Sequence, residues 1–93
     1  MEVGRDLDEV IFEKVMGNYL YPGSNVCIPQ YSTDISAAWK VVEKVDLPFH
    51  LERLSGSGMC EAKFAGIFED VAETASLAIC LAALAAVGVK VDE

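Results

Sequence analysis

Apolar and polar positions along the chain follow two different periods, and the change of period divides it into elements. Between Asp6 and Met16 the residues Leu7, Val10, Ile11 and Val15 fall at helical spacing, one face of a turn of 3.6 residues. Asp6, Asp8 and Glu9 crowd its start, where carboxylates complement the positive end of the helix dipole. Gly17 and Asn18 supply a stop. A second helix is predicted to begin near Ser32 or Thr33, either of which suits an N-cap, with Asp34 in its first turn. There Ile35, Ala38, Trp39, Val42 and Val45 form an apolar stripe opposite Lys40, Glu43 and Lys44. Trp39 is expected to anchor the core. Asp46 and Pro48 end the pattern.

From Leu47 onward the period becomes two, because Phe49 and Leu51 alternate with His50 and Glu52, as in a strand buried on one face. Ser55, Gly56, Ser57 and Gly58 make a turn, after which Cys60, Ala62 and Phe64 alternate with Glu61 and Lys63. A β-hairpin follows from that pattern. Ile67, Phe68 and Val71 continue as a third short strand after a turn at Gly66. The last segment, from Thr74 or Ala75 to Val87, places Leu77, Cys80, Leu81 and Leu84 on one helical face, with Gly88 as cap. Alanine covers its other sides, so this helix lacks a polar face and is expected between the sheet and a second element or subunit. The predicted fold class is α+β: a small layered sandwich of about three helices and a short antiparallel sheet, in the order α-loop-α-β-β-(β)-α. The helices cover one side of the sheet and leave the other polar.

Length limits this to a single domain over residues 1–93, since so short a chain buries only about 60% of its unfolded surface and cannot divide it between two cores. A hydrophobic fraction of 53% exceeds the roughly 45–50% of ordinary soluble domains, which points to an added homo-oligomeric interface, a homodimer or higher. Fifteen acidic residues against seven basic ones give a net charge of -8, which repels nucleic-acid phosphate. Glu2, Asp6, Asp8, Glu9 and Glu13 at the start are incompatible with a secretory signal. The uncharged run from Thr74 to Val89 falls short of the ~20 strongly apolar residues of a membrane span. A cytoplasmic protein is expected. Cys27, Cys60 and Cys80 lack any Cys-x-x-Cys pairing and read as reduced core thiols rather than as a zinc site or disulfide framework.

Catalysis finds little support in these residues. His50 is the one histidine and lies in a strand pattern beside Glu52, a surface position with no nucleophile near it. The pairs Asp8-Glu9 and Glu69-Asp70 are adjacent rather than spaced to converge, so neither forms a metal clamp or an acid/base pair. No metal and no cofactor is expected. The turn-rich loop from Asn18 to Gln30 is long for so small a domain, and loops of about 12 residues or more are often functional. Tyr19, Tyr21 and Tyr31 at its ends pin it down or offer stacking surfaces.

Two stretches carry a family resemblance: Glu13-Lys14-Val15-Met16-Gly17, and Pro29-Gln30-Tyr31-Ser32-Thr33-Asp34-Ile35 running on through Ala38-Trp39 to Lys44. With Ala72 to Ala75 and Ala78 to Leu84, they make the chain similar to the phage ABA sandwich domain family. One departure is Asn18, where relatives often carry tryptophan. The resemblance implies a small phage or prophage protein with sheet and helices in layers and no catalytic residues to carry over. The first functional expectation is a counter-defence protein that sequesters a nucleotide-type immune signal. In it the amides at Ser32 and Thr33 receive an anion, Tyr19, Tyr21 and Tyr31 stack, and Arg53 and Lys63 add positive charge. The second is an acidic inhibitor of a host defence or replication protein, steered by charge. A small metabolite-degrading enzyme ranks third.

Overall fold

The fold was read from a computed structural model, which describes residues 4–17, 28–56 and 58–88. The loop residues Tyr19 and Tyr21, most of the Asn18–Gln30 loop and Cys27 lie outside the described residues. Helix α1 spans Arg5–Val10 and runs straight into a π-helical segment, Ile11–Val15, closed by Met16 N–H donating to Ile11 O at 3.0 Å. The sequence predicts one regular helix here; the difference lies in the spacing of its apolar side chains. Leu7, Ile11 and Val15 are each four apart and all buried, and four residues overshoot one α-helical turn. The wider π turn returns Val15 to the line of the other two.

Helix α2 spans Ile35–Val45 and begins later than the sequence suggests. Its N-cap is Asp34, whose carboxylate accepts from Ser36 N–H at 2.9 Å, so neither Ser32 nor Thr33 caps it. Asp46 at its end takes a left-handed conformation (φ 53°) and turns the chain into the sheet. Three strands follow, β1 (Phe49–Arg53), β2 (Cys60–Phe64) and β3 (Phe68–Ala72), antiparallel in the order β1-β2-β3. Ala65 and Gly66 carry positive φ of 56° and 74°, the geometry a tight turn with the twist of a hairpin demands. Helix α3, Ala75–Ala86, is capped by the Thr74 hydroxyl accepting from Leu77 N–H at 3.2 Å. Gly88 ends it at φ 83°.

The order α-α-β-β-β-α is the expected one, with the third strand formed. Helix α3 is the centre of the molecule. It packs on β2 and β3 on one side and on α2 and the π-helical segment on the other, and every residue from Ala78 to Leu84 is buried. The inner sheet face supplies Phe49, Leu51, Cys60, Ala62, Phe64, Phe68 and Ala72 to the same core. The outer face carries His50, Glu52, Glu61, Lys63, Glu69 and Val71 and is open among the described residues. The sheet is therefore an outside layer and α3 the middle one.

Trp39 does not anchor this core. It is 44% exposed and Ile35 42% exposed, whereas Ala37, Ala38 and Val41 are the buried side chains of α2. The distance between helix axes depends on the side chains at the contact, and against the alanines of α3 the small residues of α2 fit best. The indole is displaced to the flank, where it stands edge-on to Phe49 with ring centroids 5.6 Å apart. Phe64, fully buried, takes the central place and stacks at a tilt on Phe49 at 4.9 Å. No helix among the described residues is long and apolar enough to cross a membrane.

Candidate functional site

The predicted site residues separate into three places. The first is a junction between the start of α1 and the turn that precedes α2. Gln30 O accepts from Asp34 N–H at 2.8 Å and Thr33 N–H at 3.2 Å, folding residues Tyr31 to Thr33 into a tight turn. Ser32 inside it is fully buried. Its N–H donates to Asp8 Oδ1 at 2.8 Å and its hydroxyl accepts from Gly4 N–H at 3.1 Å. Two segments far apart in sequence are thus tied by reciprocal bonds. A cleft of about 220 Å³ opens beside them, lined by Gly4, Asp8, Ile28, Gln30 and Thr33.

This geometry corrects the expectation of an anion cradle at Ser32 and Thr33. Their amides are engaged, one of them by a carboxylate, and the helix they were to open starts at Ile35. Tyr31 is 3% exposed, so its ring is a core contact and not a stacking surface. Its hydroxyl pKa is raised, first by burial and then by the negative charge of Asp8 and by Cys80. The same two causes, burial foremost and Asp8 second, push the Cys80 thiol up to about 12. Asp8, Tyr31, Ser32 and Cys80 therefore form one buried polar cluster, and the cleft above it favours a hydrogen-bond donor or a cation over a phosphate.

Sequence reading missed Asp8, which it counted only among the acids that complement the dipole at the start of the helix. The signal was present: Asp8 follows Leu7 and precedes Ile11 by three positions, so it shares their side of the helix.

Arg53 marks the second place. It lies exposed at the end of β1 and, with Leu54, Ser55, Gly56 and Gly58, lines an open cleft of about 430 Å³ at the hairpin turn. Gly56 and Gly58 carry φ of 82° and 72°, conformations in which a side chain is strained. Lys63 marks the third place, on the opposite face of the sheet. Its ammonium lies 3.4 Å from Glu69 Oε2 and 3.9 Å from Glu61 Oε1, so its charge is already shared by two carboxylates. Across the same face His50 Nε2 stands 3.8 Å from Glu52 Oε2, both side chains more than half exposed. Arg53 and Lys63 do not converge on one ligand.

Among the described residues no group of three His, Cys, Asp or Glu side chains is placed to hold a metal ion, and the two described thiols, Cys60 and Cys80, are free and buried.

Comparison with known proteins places this geometry. The chain is similar to a phage protein from Bacillus cereus ATCC 14579 whose crystal structure was determined at 2.0 Å, with 29% sequence identity and a TM-score of 0.77 over 92% of each chain. No curated protein matches it. The phage ABA sandwich domain model matches residues 9–84, from the first helix into the last turn of the buried one, and the chain belongs to that family.

Proposed function

We propose that the chain is a non-catalytic phage binding protein of the host cytoplasm whose target is a basic protein surface. The observation that carries this reading is the open face of the sheet, where Glu52, Glu61 and Glu69 outnumber Lys63 on a molecule of net charge -8. A pleated face that no described helix covers presents side chains in fixed rows, and charge of one sign steers association with a partner of the other. Two features support binding over catalysis. The Cys80 thiol, pushed up to about 12, is a poor nucleophile at neutral pH. His50 lies exposed beside Glu52 and opposite Lys63, and the two described thiols are buried. The test is capture from host lysate by wild type and by a triple variant, Glu52→Gln with Glu61→Gln and Glu69→Gln. A stoichiometric partner held by wild type at about 0.05 M salt, released at about 0.5 M and absent from the triple variant is expected. A partner retained equally by both proteins sinks the reading.

The expectation of a sequestered nucleotide-type signal keeps one specific support, the hairpin cleft. A guanidinium beside a glycine-rich turn suits a phosphate group, and Arg53 with Gly56 and Gly58 is that combination. Calorimetric titration with a panel of cyclic and linear nucleotides decides it: heat that disappears in Arg53→Ala supports this second reading, and absence of heat across the panel removes it.

A further inference from the structure

The two edges of the sheet differ in a way that assigns a partner to one of them. Among the described residues β1 and β3 each pair with β2 alone, so each presents an edge to another strand, although on β3 the Val71 N–H already donates to Asp70 Oδ1 at 2.9 Å. On β1, Ala65 N–H donates to Pro48 O and Leu54 N–H donates to Met59 O, so Pro48 and Leu54 face β2. Because residues of an antiparallel strand alternate in the direction of their N–H and C=O groups, His50 and Glu52 also face β2. Phe49, Leu51 and Arg53 then turn theirs outward.

Antiparallel pairing of β1 with a second β1 keeps both apolar faces on the same side only when the two-fold axis passes through a residue. Through His50 it sets imidazole against imidazole, and through Glu52 carboxylate against carboxylate. Through Leu51 it sets Phe49 against Arg53, His50 against Glu52 and Leu51 against itself. Each is a favourable cross-strand pair: a cation over a ring, a hydrogen-bonding or ionic pair, and an apolar contact. The His50 and Glu52 positions fall at the sites not bonded across the new seam, where opposed side chains come closest. The edge of β3 lacks this property, since its central residue is Asp70 and two-fold pairing there opposes carboxylates. The exposed indole of Trp39 lies beside the same seam, because it stands on Phe49.

We infer that the partner of the β1 edge is a second copy of this chain, joined antiparallel about a two-fold axis at Leu51 into one continuous six-stranded sheet. The dimer covers Trp39 and sets two open acidic faces side by side. This goes beyond the binding reading above and stands whether or not that reading holds.

The test is a charge swap read by sedimentation velocity over a concentration series. Wild type is expected to dimerise, and His50→Glu, which opposes carboxylates at two symmetric positions, to weaken the dimer roughly tenfold. The double variant His50→Glu with Glu52→His is expected to restore it, a rescue unique to the Leu51 axis. Both side chains are exposed, so circular dichroism should be unchanged in all three proteins. Hydrogen exchange gives a second readout, with concentration-dependent protection of the Phe49, Leu51 and Arg53 amides. A chain monomeric at every concentration, a dimer indifferent to His50→Glu, no rescue by the swap, or a Leu51 amide unprotected in the dimer each overturns the assignment.

Discussion

Asp8 is a buried side chain whose removal leaves a named group without a partner. Its carboxylate accepts the buried Ser32 N–H at 2.8 Å, and an amide stranded away from water costs about 1–3 kcal/mol. Asp8→Ala is therefore expected to lower unfolding stability by about 2 kcal/mol in urea, while Asp8→Asn, which keeps an acceptor oxygen, is expected to retain most of it. Equal losses in the two variants would mean that charge, not the hydrogen bond, is what matters. At this scale the sequence was a partial guide. Leu7, Ile11, Phe64 and Cys80 were legible as core from their period and are buried. Tyr31 and Ser32 were not, because turn residues that satisfy each other's backbone have no periodic signal. Trp39 misled for a different reason. Its size suggested the core, but its neighbours Ala37 and Ala38 were the ones small enough to meet α3.

Among the elements, α3 is buried without interruption from Ala78 to Leu84, with Ala82 and Ala83 fully buried between the sheet and the other helices. Small residues set how closely those layers approach, and added methylenes in a filled space cost about 1–3 kcal/mol. Ala83→Leu is expected to destabilise within that range. Ala85→Leu, at a half-buried position, is expected to cost less than about 0.5 kcal/mol. Comparison of their thermal unfolding midpoints checks the direction of burial. The existence and type of α2, β1, β2 and α3 were readable because each repeats its pattern over several residues and is bounded by Gly, Pro or a capping side chain. The π-helical turn was not, since its single wide turn differs from an α-helix by one residue of register.

For the whole molecule the buried acidic cluster predicts a response to alkali. Cys80 is raised from an ordinary 9.0 to about 12, and Tyr31 is raised from its ordinary 10.0. A group that ionises at lower pH when unfolded binds fewer protons in that state, so stability falls as pH rises. The contribution of Cys80 is fully present below pH 9.0 and is lost progressively toward about 12, on the order of 4 kcal/mol in all. Denaturant titrations at several pH values should show this slope in wild type and a shallower one in Cys80→Ala. Layer order was legible in the last helix, whose alanine-covered sides announced burial between the sheet and a second element, as found. The even alternation in β1 and β2 announced one polar sheet face, while the identity of the elements on the far side of α3 was not legible, because packing partners leave no periodic signal in either segment.

That central helix has a consequence for how the protein is made. Helix α3 follows every other described element in the chain, and it is the surface on which the sheet and the other helices meet. Until the ribosome has released residues 75–86, the stripe of α1 and the inner face of the hairpin have nothing to close upon, and the nascent chain exposes both. Folding should then begin with local hairpin and helix formation and reach cooperativity only after translation has passed α3.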